Sequence, residues 1–419
     1  MPERIEVYYQ GWGEHWKWGT LAASAAVNGR PLIAFEYSDK ARQRQLELAA
    51  YTLPLIGPSL RTGFPAHQLG LPGPVYDSLP DGWGMLLMDR LFKRRGLNPA
   101  RIGPLQRLAY VGHHAMGALA FEPAAPEFDQ PSAAIPLAQL AAEVQEVQRG
   151  EGGEFLQRLL QMGGSPQGAR PKALVYRDAS GAFSTQPSAS AEAWLIKFPA
   201  QHEHPEVCAI EAAYAEGLRQ CGICTPATVH FDLPAGQAAF ATQRFDRQGE
   251  LRVPMQSLAA FTGADYQTPG ALDYTTFLRA TQLCTQDARQ KAAAFKRVVF
   301  NVVFNNRDDH PKNFAYLMKA NGQWALAPAF DVTFCEGPGG YHQMDVMGEA
   351  LRITRKQLAQ LGQLEAELPL AEVHRIIEQV CEAGSQFAAT AQRLLPGRIT
   401  LTTLQTIAER IDSNIRELR

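Results

Sequence analysis

Asn305-Asn306-Arg307-Asp308-Asp309-His310-Pro311-Lys312-Asn313-Phe314, followed 18 residues beyond Asn313 by Phe330-Asp331-Val332, is the stretch on which the reading of this chain turns. Two carboxylates, an imidazole, a lysine and an amide crowd one short loop, and a lone Asp stands downstream. Asp308 precedes Asn313 by five residues. At that interval protein-kinase catalytic loops place an Asp that orients and deprotonates an acceptor hydroxyl, and an Asn that holds Mg²⁺. Asp309 precedes Asn313 by four, so the spacing selects Asp308 and leaves Asp309 to cap the loop. The pattern points to ATP-dependent phosphoryl transfer.

Such a reaction needs donors for the triphosphate, a lysine, hard oxygen ligands for the metal and a base, and the surrounding sequence offers a candidate for each. Asp331, behind Ala329-Phe330, supplies the oxygen that Mg²⁺ requires. Lys312, beside Asn313, stands where it can meet the γ-phosphate as charge develops, and His310 can brace the loop through backbone hydrogen bonds. An Asp-Asp-His run also suits a metal hydrolase using Mn²⁺ or Zn²⁺. That site needs further ligands, and His342 and Asp345 lack a recognisable metal spacing.

Upstream, Lys197 interrupts the apolar run Trp194-Leu195-Ile196-Lys197-Phe198, where an ammonium is costly to bury without a phosphate or carboxylate partner. Glu211, in the next helical run, is the expected ion-pair partner; alternatively Lys197 snorkels from an edge strand and Glu211 is a solvated helix residue. Gly163, Gly164 and Gly168 permit close backbone approach to phosphate oxygens, although a glycine stretch by itself is more often a plain turn. Gln243-Arg244-Phe245-Asp246-Arg247 follows a strand at the place where an adenine edge would meet backbone, with Phe245 either against the ring or in the core.

The 419 residues predict two or three units at about 100 to 200 residues each, and we count two. An apolar fraction of 46% with 20% charged residues describes an ordinary globular enzyme. The formal charge of −2 argues against a dedicated nucleic-acid binder, and the short basic cluster Lys93-Arg94-Arg95 reads as a solvated helix end. No apolar run approaches the ~18 residues of a membrane span, and the polar start (Glu3, Arg4, Glu6) lacks a signal-peptide pattern, so a cytoplasmic location is expected. The six cysteines are scattered through apolar neighbourhoods. Cys221-Gly-Ile-Cys224 has neither a second ligand pair for zinc nor the strand-to-helix setting of a redox site, and is read as structural.

Periodicity divides the chain into residues 1–121, a proline-rich linker at 122–136, a small lobe at 137–247 and a helical large lobe at 248–419. The first region mixes strands at 21–27 and 31–37 with a helix from Met85 to Arg95 after the turn Leu79-Pro80-Asp81-Gly82. The small lobe reads as strand, strand, helix, strand, strand. The predicted fold class is α+β: a bilobal, protein-kinase-like fold with a β-rich small lobe, a helical large lobe and an N-terminal α+β subdomain.

Together these residues resemble the HipA family of bacterial toxin Ser/Thr kinases over nearly the whole chain. Leu79-Pro80-Asp81-Gly82 and Gly117-Ala118-Leu119 resemble that family's N-terminal subdomain, and residues 137–395 its kinase core. The resemblance implies that Ser165-Pro166-Gln167-Gly168-Ala169-Arg170-Pro171-Lys172 is a Ser-x-x-Gly-x-x-x-Lys phosphate loop, with Ser165 its autophosphorylation site. It implies Asp308 as catalytic, Ser165, Gly168 and Lys172 as phosphate-loop residues, Lys197 as ATP-binding, and Gln243 and Phe245 as the hinge; the residues themselves add Lys312 as a catalytic candidate and Gly164, Glu211 and His310 as nucleotide-binding candidates. Asn313 and Asp331 become Mg²⁺ ligands. The implied cofactors are ATP and Mg²⁺. The implied partners are a protein substrate, such as an aminoacyl-tRNA synthetase, and a small DNA-binding antitoxin; neither direct sequence-specific DNA binding nor a membrane is expected. Two departures stand out. Met255-Gln256-Ser257 replaces the Gln-Glu-Asp of relatives, and Arg170-Pro171 makes the loop stiffer and more basic. A small-molecule kinase, a nucleotide-binding regulatory subunit and a metal phosphoesterase are the competing readings.

Overall fold

The computed structural model describes residues 3–24, 32–125, 134–150, 159, 168–188 and 190–419. The chain packs into two compact units, one built from Met1–Glu203, Phe231–Gln256 and Leu317–Gly322, the other from His204–His230, Ser257–Tyr316 and Gln323–Arg419. Both sheet-rich and helix-rich parts are present, and the α+β class stands.

The first unit opens with an antiparallel sheet of order β4-β3-β2-β1-β5, formed by β1 (Arg4–Tyr9), β2 (Trp16–Ala23), β3 (Ile33–Tyr37), β4 (Leu60–Arg61) and β5 (Leu119–Glu122). Ile5, Val7 and Tyr9 alternate inward on β1, the period of two that one buried face imposes. The strand expected at 21–27 instead begins at Trp16 and ends at Ala23. Trp16 and Trp18 carry the bulk that the inner face packs. Between β3 and β5 run the helices α1 (Asp39–Arg44), α2 (Gly73–Tyr76), α3 (Gly82–Arg94) and α4 (Pro104–Val111). The helix α3 starts three residues before the expected Met85 and buries Trp83, Leu87, Met88, Leu91 and Phe92 along one stripe.

After α5 (Leu137–Gln148), a second antiparallel sheet places β6 (Lys172–Arg177) between β7 (Phe183–Ser184) and β8 (Glu192–Lys197). The chain passes between the units in β9 (Thr228–Asp232), and β10 (Ala238–Gln243) covers the other side of β8. The end of the proline-rich stretch joins this sheet: Ala134 bridges Ser184, and the buried Ile135 donates its N–H to Phe183 O at 2.9 Å.

The second unit is helical: α6 (Val207–Gln220), α7 (Leu258–Thr262), α8 (Tyr274–Thr285), α9 (Ala288–Val303), α10 (Arg355–Leu364), α11 (Leu370–Ser385), α12 (Phe387–Leu394) and α13 (Leu401–Glu417). Asp273 and Asp287 cap α8 and α9 through their side chains, accepting from Thr276 N at 2.7 Å and Arg289 N at 3.0 Å. Phe277, Phe295, Phe300, Val380, Ile407 and Ile411 belong to one continuous core. Cys221 ends α6 in that core, and burial pushes its thiol up to about 12, the state of a packing residue. No described helix is long and apolar enough to cross a membrane.

Candidate active site

In the second unit the loop begins where α9 stops. Asn305 takes a left-handed φ of 54°, which ends the helix, and its backbone and amide are tied to Cys335: Cys335 N donates to Asn305 O at 3.1 Å and Asn305 Nδ2 to Cys335 O at 3.0 Å. From α13, Asn414 Nδ2 donates to Asn305 Oδ1 at 3.3 Å and to Val302 O at 3.0 Å, satisfying a carbonyl the helix end leaves open.

Within the loop the neighbouring carboxylates part ways. Asp309 is fully buried; its Oδ2 accepts from Tyr274 Oη at 2.5 Å and pairs with His342 Nδ1 at 2.7 Å, while its Oδ1 accepts Gln343 N at 2.7 Å. Asn306 donates to Asn301 Oδ1 (2.9 Å) and Asn301 to Tyr274 Oη (3.0 Å), which extends the network to α8 and α9. Burial, then Asp309, raises the Tyr274 phenol well above its ordinary range, so it stays a donor. Asp309 therefore does more than cap the loop; it is the buried anchor to which the loop is fixed.

Asp308 keeps 47% of its side chain exposed and accepts Gln343 Nε2 at 2.9 Å. Burial of the rest, then the nearby carboxylates of Asp331 and Asp309, pushes it above its ordinary value, opposed by His310, whose Nε2 lies 3.7 Å away, and by Gln343. Asn313 Nδ2 donates to Asp308 O at 2.7 Å, which leaves the amide oxygen for a cation. Asp331 holds a left-handed φ of 56°, a conformation that costs a non-glycine residue and is met at functional sites. An amide oxygen and a carboxylate are hard donors, so this pair fits Mg²⁺. His310 braces the loop through its backbone, accepting Asn313 N at 2.9 Å, while its buried Nδ1 has no hydrogen-bond partner.

Four contributors escaped the sequence reading. Gln343 grips both carboxylates, through its side chain and its backbone. Arg307 donates from its backbone to Cys335 O at 3.2 Å and from its guanidinium to Gly340 O, holding the segment after Asp331 against the loop. Tyr266 lies under the Lys312 ammonium, 4.1 Å from ring centroid to Nζ, a cation–π contact. Tyr274 is the fourth. His342 was weighed only as a metal ligand; its ring is committed to Asp309. Among the described residues no group of three or more His, Cys, Asp and Glu side chains could hold a metal ion.

The other candidates, Glu211 apart, lie in the first unit. Lys172 and Lys197 are register partners on β6 and β8, both buried, and Phe240 of β10 pairs with Lys197, whose Nζ lies 5.9 Å from its ring centroid. Because β8 is an interior strand, Lys197 does not snorkel from an edge, and Glu211 on α6 is buried rather than solvated. Gly168 has φ 98°, and a Cβ there would meet Lys172 Nζ. Arg170 turns to Glu203 at 3.3 Å and to Phe198 O at 3.1 Å, which offsets the basic charge expected there. Gly163, Gly164 and Ser165 lie outside the described residues.

Gln243 and Phe245 are half-buried at the end of β10, flanking a buried Arg244. Asp246 beside them accepts from Arg244 Nε at 2.9 Å and Nη2 at 2.8 Å, from Arg247 Nη1 at 2.7 Å and from Gly117 N at 2.9 Å. Arg252 donates to the carbonyls of Ala115, Gly117 and Leu119 at 2.8–2.9 Å. Gln256, in the Met-Gln-Ser departure, is buried with its Oε1 unpartnered.

Two family models match the chain: the HipA N-terminal domain over residues 12–122 and the HipA-like C-terminal domain over residues 164–387. Among solved structures, a chain of the Shewanella oneidensis MR-1 toxin–antitoxin complex of HipA, HipB and operator DNA is similar at a TM-score of 0.73 and 16% identity, covering 99% of this chain and 97% of that one. The Helicobacter pylori proinflammatory kinase CtkA is similar over 54% of this chain and 85% of its own, at a TM-score of 0.42 and 13% identity. No curated protein matches the chain.

Proposed function

Because the chain belongs to the HipA family, we propose that it is an ATP- and Mg²⁺-dependent Ser/Thr protein kinase, the toxin of a toxin–antitoxin pair held in check by a small DNA-binding antitoxin. The observation that carries the chemistry is the division of labour between two adjacent carboxylates, Asp309 buried and saturated, Asp308 accessible and poised by Gln343.

In this reading Asp308 accepts the proton of a serine hydroxyl as that oxygen attacks the γ-phosphorus, and ADP leaves with the bridging oxygen. Its raised proton affinity favours that acceptance. Lys312, steadied over Tyr266, meets the charge that develops on the transferred group. Lys172, Lys197 and the Gly168 backbone hold the phosphates, Glu211 aims Lys197, and Gln243 and Phe245 receive the adenine. Asn313 and Asp331 would hold Mg²⁺, which when bound neutralises the phosphate oxygens. Ser165 is the proposed autophosphorylation site, and a translation protein such as an aminoacyl-tRNA synthetase the proposed substrate class.

Purified protein incubated with γ-labelled ATP and Mg²⁺ tests the reading. Label should map to Ser165 in the wild type, vanish in Ser165→Ala, and fall by about 10²- to 10⁴-fold in Asp308→Asn. Equal labelling of wild type and Asp308→Asn would overturn the assignment of Asp308. Label passing to a small metabolite instead of protein would favour a small-molecule kinase.

A further inference from the structure

The helix α3 has Asp81 at its N-cap position, yet Asp81 makes no side-chain hydrogen bond to its own helix. Asp is among the preferred N-caps because its carboxylate normally accepts an N–H of the first turn. Here the carboxylate instead accepts the N–H of Gly168. Two further bonds run between the same segments: Trp83 N donates to Gly168 O at 3.2 Å, and the buried Trp83 indole Nε1 donates to Lys172 O at 3.1 Å. Between them Gly82 takes φ 35°, and a Cβ there would stand 2.7 Å from both Ala169 N and Gly168 O. The turn is thus shaped so that backbone meets backbone.

Resting on the reading of residues 168–172 as the end of a phosphate loop, we propose that the Asp81-Gly82-Trp83 turn is a positioning element for nucleotide. It fixes Gly168 and the Lys172 backbone from outside the kinase core. Gly168 is the residue on which the Lys172 ammonium rests, and its positive φ sets that approach. The N–H and the carbonyl of Gly168 belong to the two peptide planes that flank it, and the same turn holds both, which fixes the orientation of each. The N-terminal domain thereby carries part of the ATP site without touching ATP, and Asp81 and Trp83 are positioning residues rather than catalytic ones.

The test compares wild type with Asp81→Asn, Asp81→Ala and Trp83→Phe. An Asn oxygen can still accept the Gly168 N–H, whereas Ala removes the acceptor, and Phe keeps the packing while deleting the indole donor. Since Asp81 does not cap α3, the Ala variant is expected to fold. Loss of one charge-assisted hydrogen bond should weaken the Kd for a non-hydrolysable ATP analogue with Mg²⁺ by roughly tenfold in Asp81→Ala. Asp81→Asn should stay near wild type, and kcat at saturating ATP should hold. Independently of nucleotide, hydrogen exchange at the Gly168 and Trp83 amides should quicken in Asp81→Ala and not in Asp81→Asn. Unchanged exchange, or an equal or tighter Kd in the Ala variant, overturns the inference. A wild type that binds no nucleotide, with exchange altered as stated, overturns the phosphate-loop reading while keeping the clamp.

Discussion

Asp309 accepts three hydrogen bonds at full burial, and Asp308 beside it stays accessible with Gln343 as its side-chain donor. Replacing Asp309 by Asn removes a buried charge and sets an NH₂ or a weaker acceptor against Tyr274 and His342. That should cost roughly 3 kcal/mol, whereas Asp308→Asn should stay within about 0.5 kcal/mol. Urea denaturation of both variants measures the difference, and equal losses would contradict the buried-anchor role. The interval from Asp308 to Asn313 was legible because both residues sit in one loop. Tyr274, His342 and Gln343 lie 33 to 35 residues from Asp309. Contacts of that range leave no periodicity and no local spacing to read.

At the scale of elements, the turn after β10 is held by charge. Burial drives the Asp246 carboxyl up, but Arg244 and Arg247 outweigh it and hold it far below its ordinary 3.8. The same burial, with Arg244 beside it, brings the Arg247 guanidinium down to about 10. A carboxylate depressed in this way contributes stability that is complete above its unfolded value and is lost as pH falls through the folded one. Asp246→Asn should therefore cost about 3 to 5 kcal/mol at neutral pH. The gap to wild type should hold down to about pH 5 and narrow below 3.8. Denaturant melts across that range measure it, and a gap that widens on acidification would refute the assignment. Sequence reading placed the segment after the strand but took Phe245 as its main feature. The pairing of Asp246 with Gly117, 129 residues away, is invisible without the fold. The start of β2 lies at Trp16, ahead of the apolar run at 21–27, because the aromatic bulk of Trp16 and Trp18 packs the inner face.

Over the whole molecule, the sequence divisions at 121, 136 and 247 follow composition, whereas packing groups residues 1–203 with two later segments. Periodicity identified α6 as a helix and could not tell which unit its stripe would join. The carbonyls of Ala115, Gly117 and Leu119 are partners of Arg252, so the stretch before the proline-rich segment is wired into the sheet-rich unit. The division into two units leaves the chain crossing from one to the other five times, after residues 203, 230, 256, 316 and 322. Each unit is threaded from three separate lengths of backbone, so a single nick by a protease does not free either one. A cut at 203 would leave fragments of 203 and 216 residues, with the first unit still assembled from pieces of both. Such a nicked protein should elute as one species under native conditions and separate into two bands only in denaturant.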